Sequence, residues 1–143
     1  MILYMDTSAL LKFYIEEEGS FVARRLVADA DVLSMSRVGY AEARAGLARA
    51  LRTGRLSDNL FELALHEFEE RWNATSVIEA SDLVVRRAGD LAEKHALRGF
   101  DAIHLSSALF FETESGEHVT FSAWDDRLLA AAATEGLTAA ATS

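Results

Sequence analysis

Four acidic side chains have the type and the placement that metal-assisted chemistry uses. Asp6 directly follows a short apolar run, Asp101 opens a helical pattern after Gly99, and Asp125 follows the run VTF. Because the carboxyl ends of parallel strands are where such sheets bind ligands, these three aspartates are expected at one edge of a sheet. Glu42 differs, because it lies inside a helical pattern and shares a stripe with residues of an expected packed face. That stripe contains Val38, Ala45 and Gly46.

A cluster of these carboxylates would require a cation. Two carboxylates about 4 Å apart repel each other by roughly 4 kcal/mol at an effective dielectric of about 20. A set of oxygen ligands with neither cysteine nor histidine favours Mg²⁺ or Mn²⁺ over zinc. Such an ion activates water and neutralises the charge that develops on a phosphate. The predicted chemistry is therefore phosphoryl or phosphodiester cleavage.

Each acidic residue also has a simpler interpretation. The three aspartates could each cap the helix that follows. Glu42 could pair with Arg44 or Arg49 on a solvated surface. Taken singly, these simpler interpretations are favoured, but three strand-end aspartates together with a half-buried glutamate favour a shared site.

His104 lies three residues after Asp101 on the same helical face. Its apolar neighbours, which include Ile103 and Leu105, are typical of a hydrogen-bonded packing histidine. A role as a metal ligand or base is the less favoured alternative. The other three histidines, His66, His95 and His118, show no partner pattern.

The elements that position these residues alternate along the chain. Strands are expected at residues 2–5, 32–35, 75–78, 118–121 and 137–140. Helices are expected from Thr7 or Ser8 to about 18, at 20–28, from a Ser36 cap to 53, at 60–72 after a Ser57 cap, at 81–97, from Asp101 onward, and at 125–134. Gly19 and Gly99 are expected to end the helices before them. This order predicts an α/β fold, namely a three-layer α/β/α domain with a short, mainly parallel sheet, formed by residues 1–143 as one domain.

Composition restricts the class of protein. Half of the 143 residues are apolar, cysteine is absent, and no apolar run reaches membrane length. A soluble, cytoplasmic protein without disulfides or a signal peptide is expected. The net charge of −9 opposes nucleic-acid binding through overall charge, so local arginines would have to supply it. The candidates are Arg24, Arg25, Arg49, Arg52, Arg55, Arg86 and Arg87.

Four stretches of the sequence carry a family resemblance: MDTSALLKFY, YAEARAGL, LRGFDAIHLSSAL and FSAWDDRLLAAA. Together they resemble the four acidic motifs of PIN-domain ribonucleases, and most closely those of VapC-type toxins of bacterial toxin–antitoxin pairs. The resemblance implies a PIN-like fold and a Mg²⁺- or Mn²⁺-dependent endoribonuclease. By that match, the catalytic, metal-holding set is Asp6, Glu42, Asp101 and Asp125.

Two details of the match concern the flanks of the site. The family pattern of Asp, any residue and Arg-Leu fits Asp125, with Asp126 as the alternative. Family members often carry Thr or Ser two positions before that aspartate, where this chain has Ala123. Thr7 and Ser8 follow the first carboxylate as in the family, where such a hydroxyl helps to orient the metal site; helix capping is the simpler role.

The resemblance also implies partners. The substrate would be RNA, the chain would form a homodimer, and a groove near the first helices would take the C-terminal segment of an antitoxin protein. That groove would involve Phe13, Tyr14 and the helical pair that carries a second apolar stripe. The stripe, interpreted as core or dimer interface, contains Phe61, Leu65, Phe68 and Trp72.

Two other functions compete with the nuclease. A non-catalytic PIN-like binding module would keep the acidic residues without metal affinity. A small phosphatase that uses Asp6 as its nucleophile is disfavoured, because such enzymes need a second aspartate where this chain has Ser8.

Overall fold

Strands and helices alternate along residues 1–143, all of which the computed structural model describes. The strands are β1 (Ile2–Met5), β2 (Val32–Ser36), β3 (Ser76–Ile78), β4 (Val119–Ser122) and β5 (Thr138–Ala139). The helices are α1 (Thr7–Tyr14), α2 (Ser20–Asp29), α3 (Val38–Arg52), α4 (Asp58–Asn73), α5 (Asp82–His95), α6 (Gly99–Ser115) and α7 (Asp126–Thr134). Each predicted strand and helix is therefore present, and the differences concern where they begin and end.

The five strands form one sheet in which every pairing is parallel. The strand order is β3-β2-β1-β4-β5, so β1 lies at the centre with all four of its residues buried. After β1 the chain adds β2 and β3 on one side, and then β4 and β5 on the other. The order therefore reverses between β1 and β4, and ligands of open α/β sheets bind at such a switch point.

Helices cover both faces of the sheet. Residues of β1 alternate between two core clusters, because successive side chains of a strand point to opposite faces. Tyr4 belongs to the cluster that contains Leu105 of α6 and Leu128 of α7, whereas Met5 belongs to the cluster that contains Leu47 of α3. The predicted three-layer α/β/α architecture is confirmed. No helix has both the length and the apolar character that crossing a bilayer would demand.

The connection between α1 and α2 differs from the prediction. Helix α1 ends at Tyr14, several residues before Gly19, and Ile15 already has extended backbone angles. Gly19, with φ of 91°, is instead the residue that precedes α2. A Cβ atom at this position would lie 2.6 Å from Nε1 of Trp124, so the glycine permits both the left-handed turn and the close approach of the indole.

The connection between α5 and α6 also differs. Helix α5 ends before Ala96, a non-glycine residue with φ of 54°, and the backbone N–H groups of Ala96 and Leu97 both donate to the carbonyl of Ala92. The expected stop at Gly99 is wrong, because Gly99 is the first residue of α6. Asp101 consequently lies in the first turn of α6 and does not begin it.

Of the two predicted serine caps, Ser57 is the cap residue of its helix and Ser36 is not. Ser57 accepts a hydrogen bond from the backbone N–H of Leu60 and caps α4 as expected. Helix α3 begins at Val38, two residues after Ser36, and its cap residue Arg37 makes no side-chain cap bond.

Candidate active site

Asp6 lies at the switch point, directly after β1. Its backbone N–H donates to the carbonyl of Ser122 at the end of β4, over 3.1 Å. Its Oδ1 atom accepts hydrogen bonds from the backbone N–H of Ala9 at 2.9 Å and from the hydroxyl of Ser8 at 2.7 Å. Burial raises the pKa of Asp6, whose residue is only 4% exposed. The carboxylate therefore caps α1 and also lies at the edge where a ligand would bind.

Glu42 of α3 is bonded to residues of two other helices. Its Oε1 atom lies 2.8 Å from the Thr7 hydroxyl, which donates to it, and 2.7 Å from Nε2 of His104. Burial by itself would raise the pKa of Glu42, but the hydrogen bond and charge of His104 and the Thr7 hydroxyl bring it below its ordinary value. The alternative pairing with Arg44 is wrong, because Arg44 contacts Tyr40 and Glu69 instead.

The packed face of α3 only partly matches the predicted stripe. Ala45 is exposed and Val38 is half-buried, whereas Gly46 packs so closely against Leu11 of α1 that a Cβ atom there would lie 2.5 Å from the leucine side chain. The buried residues of α3 repeat at helical spacing and are Gly39, Ala43, Leu47 and Ala50. Glu42 borders this buried row, which is why its side chain reaches across to neighbouring helices.

Asp101 and Asp125 line a common cavity of about 410 Å³, together with Asp126. Asp125 caps α7 by accepting a hydrogen bond from the backbone N–H of Leu128 at 2.9 Å. Burial raises the pKa of Asp101, and the negative charges of Asp125 and Glu42 raise it further. Asp101 does not cap its own helix, since Arg98 occupies that position.

A second cavity, of about 550 Å³, joins Asp101 to Glu42 and is also lined by Arg98 and Phe100. Asp101 therefore lines both cavities and links the acidic residues of α3 and α7. Arg98 lines both cavities as well and forms no ion pair within 4 Å, whereas Arg127 of the first cavity donates to the carbonyl of Ala96. These guanidinium groups are the basic side chains at the acidic edge.

His104 contacts the site through a partner that the sequence analysis did not identify. The prediction of a hydrogen-bonded, buried residue is confirmed, since it is 2% exposed. Its partner could not be found from the sequence, because Glu42 is 62 residues away and belongs to another helix. The remaining histidines do have acidic neighbours, with Glu70 next to His66, Glu135 next to His95 and Glu112 next to His118.

The chemical type of the candidate ligand atoms suits a hard divalent ion. Asp101 shares one cavity with Asp125 and the other with Glu42, whereas Asp6 lines neither, and no three acidic or histidine side chains converge closely enough to form a ready cage for a metal ion. All of the donors are carboxylate oxygens, which Mg²⁺ and Mn²⁺ prefer. The raised pKa of Asp101 reflects burial and the repulsion of like charges, and a bound cation would relieve that repulsion.

Comparison with known proteins identifies the family. The family model of the PIN domain matches residues 3–121. The chain is 39% identical over 127 residues to Ribonuclease VapC45 and to Ribonuclease VapC49 of two Mycobacterium tuberculosis strains, which covers 89% of this chain and 86% of each relative. This chain belongs to the PIN-domain family and is of the VapC type. The predicted resemblance to VapC-type PIN-domain proteins is therefore confirmed.

Solved PIN-like structures share the fold. PAE2754 from Pyrobaculum aerophilum is 20% identical with a TM-score of 0.64, over 98% of this chain and 84% of that one. FitAcB from Neisseria gonorrhoeae is 18% identical with a TM-score of 0.64, over 99% and 98%. VapBC2 from Rickettsia felis, bound to a DNA fragment from its promoter, is 16% identical with a TM-score of 0.57, over 87% and 88%. At these identities the likeness extends to the fold alone.

Proposed function

We propose that this PIN-domain protein is a divalent-metal-dependent endoribonuclease, the toxin of a toxin–antitoxin pair, that acts in the cytoplasm as a single domain over residues 1–143. The observation that carries the proposal is the position of Asp101, which links Glu42 and Asp125 at the switch-point edge in a family whose relatives are named ribonucleases. The proposed ligands of Mg²⁺ or Mn²⁺ are Asp6, Glu42, Asp101 and Asp125.

The residues of this chain divide the work by position. The metal, when bound, supplies an activated water and neutralises charge on the scissile phosphate. Ser8 holds the carboxylate of Asp6, and Thr7 holds that of Glu42, so both hydroxyls orient acidic groups in addition to lying in the first turn of α1. Arg98 supplies a positive charge for the RNA backbone beside the cavity. Each carboxylate acts as a ligand and forms no covalent bond to the substrate.

A non-catalytic binding module is the second candidate. The specific observation in its favour is that no three acidic side chains are already gathered for a metal. Titration with Mn²⁺ separates the two candidates, because a module without metal affinity cannot run this chemistry.

The decisive experiment incubates purified protein with total cellular RNA, with Mn²⁺ or with EDTA, and maps the new RNA ends. We expect defined ends with Mn²⁺ and none with EDTA. The variant Asp101→Asn should lose cleavage by at least about 100-fold and keep its fold, because it removes one charge from a half-buried position with little change of shape. Cleavage by Asp101→Asn at the wild-type rate would overturn the site assignment.

The antitoxin would bind away from the acidic edge. A groove of about 200 Å³ lies between α1 and α4, and its apolar lining includes Phe13, Tyr14, Leu60 and Leu63. Leu60 and Leu63 are each more than half exposed, so an apolar segment of a partner would cover them.

The predicted core role of the α4 stripe is confirmed for Phe68, which is buried. We also propose a homodimer, and this proposal rests on the family resemblance alone. Light scattering tests it by measuring the molar mass of the protein in solution.

A further inference from the structure

A directed chain of hydrogen bonds ends on the carboxylate of Glu42. The backbone N–H of Ser36, at the end of β2, donates to the Tyr4 hydroxyl at 3.1 Å. The Tyr4 hydroxyl lies 2.8 Å from Nδ1 of His104, and Nε2 of His104 lies 2.7 Å from Oε1 of Glu42. Tyr4 and His104 are both buried, so each of these polar atoms depends on its partner in the chain.

The donors and acceptors of this chain assign the proton positions. An ionised carboxylate accepts hydrogen bonds and donates none, so the His104 proton that faces Glu42 must lie on Nε2. Nδ1 then faces the Tyr4 hydroxyl at 2.8 Å, so that hydroxyl fixes the orientation of the ring. The same hydroxyl oxygen accepts a hydrogen bond from the backbone N–H of Ser36, which holds it in place.

The two oxygens of Glu42 are unequal as a result. Oε1 receives both donors, the Nε2–H of His104 and the hydroxyl of Thr7 at 2.8 Å. Oε2 receives no hydrogen bond from the protein. Glu42 and Asp101 line the same cavity, so Oε2 is the oxygen available to a cation there.

We propose that His104 is a positioning residue that, with Tyr4 behind it and Thr7 beside it, saturates Oε1 of Glu42 and reserves Oε2 for the divalent ion. His104 does not itself ligate the ion, because both of its ring nitrogens are engaged by Tyr4 and Glu42. This inference rests on the proposed function, since it concerns the same metal centre. Partners that orient a metal ligand typically contribute 10- to 100-fold to metal affinity.

The test measures Mn²⁺ affinity by electron paramagnetic resonance and cleavage of a fluorescent RNA, with kcat and KM separated. His104→Leu removes the donor and should weaken Mn²⁺ binding by about 10- to 100-fold. His104→Gln keeps an N–H donor of similar reach and should restore most of that affinity. His66→Gln, at an exposed histidine of α4, is the matched control and should bind and cleave like the wild type.

A second variant separates positioning from packing. Tyr4→Phe keeps an aromatic ring against Phe121, from which the Tyr4 ring lies 5.4 Å between centroids, and removes the hydroxyl that contacts Nδ1 of His104 and accepts from the Ser36 N–H. It should weaken Mn²⁺ binding and lower kcat with little change in the KM for RNA. This variant keeps the proposal falsifiable if His104→Leu fails to fold.

Three outcomes carry distinct meanings. Wild-type Mn²⁺ affinity in a folded His104→Leu or Tyr4→Phe variant overturns the positioning role and leaves the nuclease proposal intact. Equal loss in folded His104→Gln and His104→Leu overturns it too, since retaining a donor would then restore nothing. A wild-type protein that binds no Mn²⁺ and cleaves no RNA overturns the proposed function, and this inference with it.

Discussion

The carboxylate of Asp6 is both a helix cap and a buried acidic group. It caps α1 through Ala9 and Ser8, which stabilises a charge near the start of a helix, yet it lies almost fully buried. The raised pKa shows that the cost of burial exceeds the benefit of those two hydrogen bonds. Ionisation of Asp6 is therefore less favourable in the metal-free folded protein than in the unfolded chain.

At the residue scale, we predict that Asp6→Asn raises the melting temperature of the protein in EDTA at pH 7. Asn caps a helix as well as Asp does, and it carries no charge to bury. Because the folded pKa of Asp6 is raised, the folded state loses stability relative to the unfolded chain as the pH rises from the unfolded pKa to the folded pKa, and the full loss persists above it. The difference between variant and wild type should therefore shrink as the pH falls to about 3.9 and vanish below it, where the folded and unfolded states are both protonated.

Thermal unfolding across this pH range, with EDTA and then with Mn²⁺, measures the effect. The wild type should be stabilised by Mn²⁺ at pH 7, since an ion that binds only the folded state raises its stability. Asp6→Asn should gain far less. A melting temperature for Asp6→Asn below that of the wild type in EDTA at pH 7 would contradict this account of Asp6.

At the scale of elements, the loops that follow β1 and β4 are held against each other. The backbone N–H of Trp124 lies 3.4 Å from the Ser8 hydroxyl, and Lys12 lies over the indole at 5.3 Å. Gly19 also lies against the indole. Since Trp124 directly precedes Asp125, the packing of this one ring connects the α1–α2 turn to the acidic edge.

We predict that Gly19→Ala destabilises the protein more than Gly54→Ala does. Both glycines have positive φ, 91° and 76°, so both substitutions incur the left-handed penalty of about 1–2 kcal/mol. Only at Gly19 does the new Cβ atom meet Trp124, whereas nothing lies within 4 Å at Gly54. Urea unfolding measures the two losses, and a lower cleavage rate is expected for Gly19→Ala alone. Equal losses of stability would show that Trp124 moves aside without cost.

At the scale of the whole molecule, the local distribution of charge matters more than the net charge. The chain has 23 acidic and 14 basic residues, yet several arginines are already paired with acidic partners. Arg24 pairs with Glu16, Arg55 with Glu17 and Arg86 with Asp82. These pairings leave Arg98, at the acidic cavities, as the better placed contact for RNA phosphates.

We predict that Arg98→Ala weakens RNA binding and reduces the slope of log K against log salt by about 0.7, the value for one phosphate of a single strand. Binding is measured in the Asp101→Asn background, so that the RNA stays intact. Arg25→Ala, at an exposed arginine outside both cavities, is the matched control and should keep the full slope. An unchanged slope in Arg98→Ala would remove Arg98 from the RNA interface.

The sequence by itself determined the fold class and the nomination of acidic residues. Buried parallel strands read as short apolar runs, and helices read as periodic patterns, because burial repeats at the spacing of each element. Each of the four acidic motifs covers one element or two adjacent ones, so each is complete in a short stretch of chain. Family membership followed from the same stretches.

Only the tertiary structure decided the connections between those stretches. The bond between His104 and Glu42 spans 62 residues, and its existence depends on how α6 packs beside α3. The left-handed turn at Ala96 likewise has no glycine to predict it. Periodicity shows which face of an element is buried, but it does not show which residue of another element lies opposite. Partners within the site are therefore a product of packing, which sequence patterns do not encode locally.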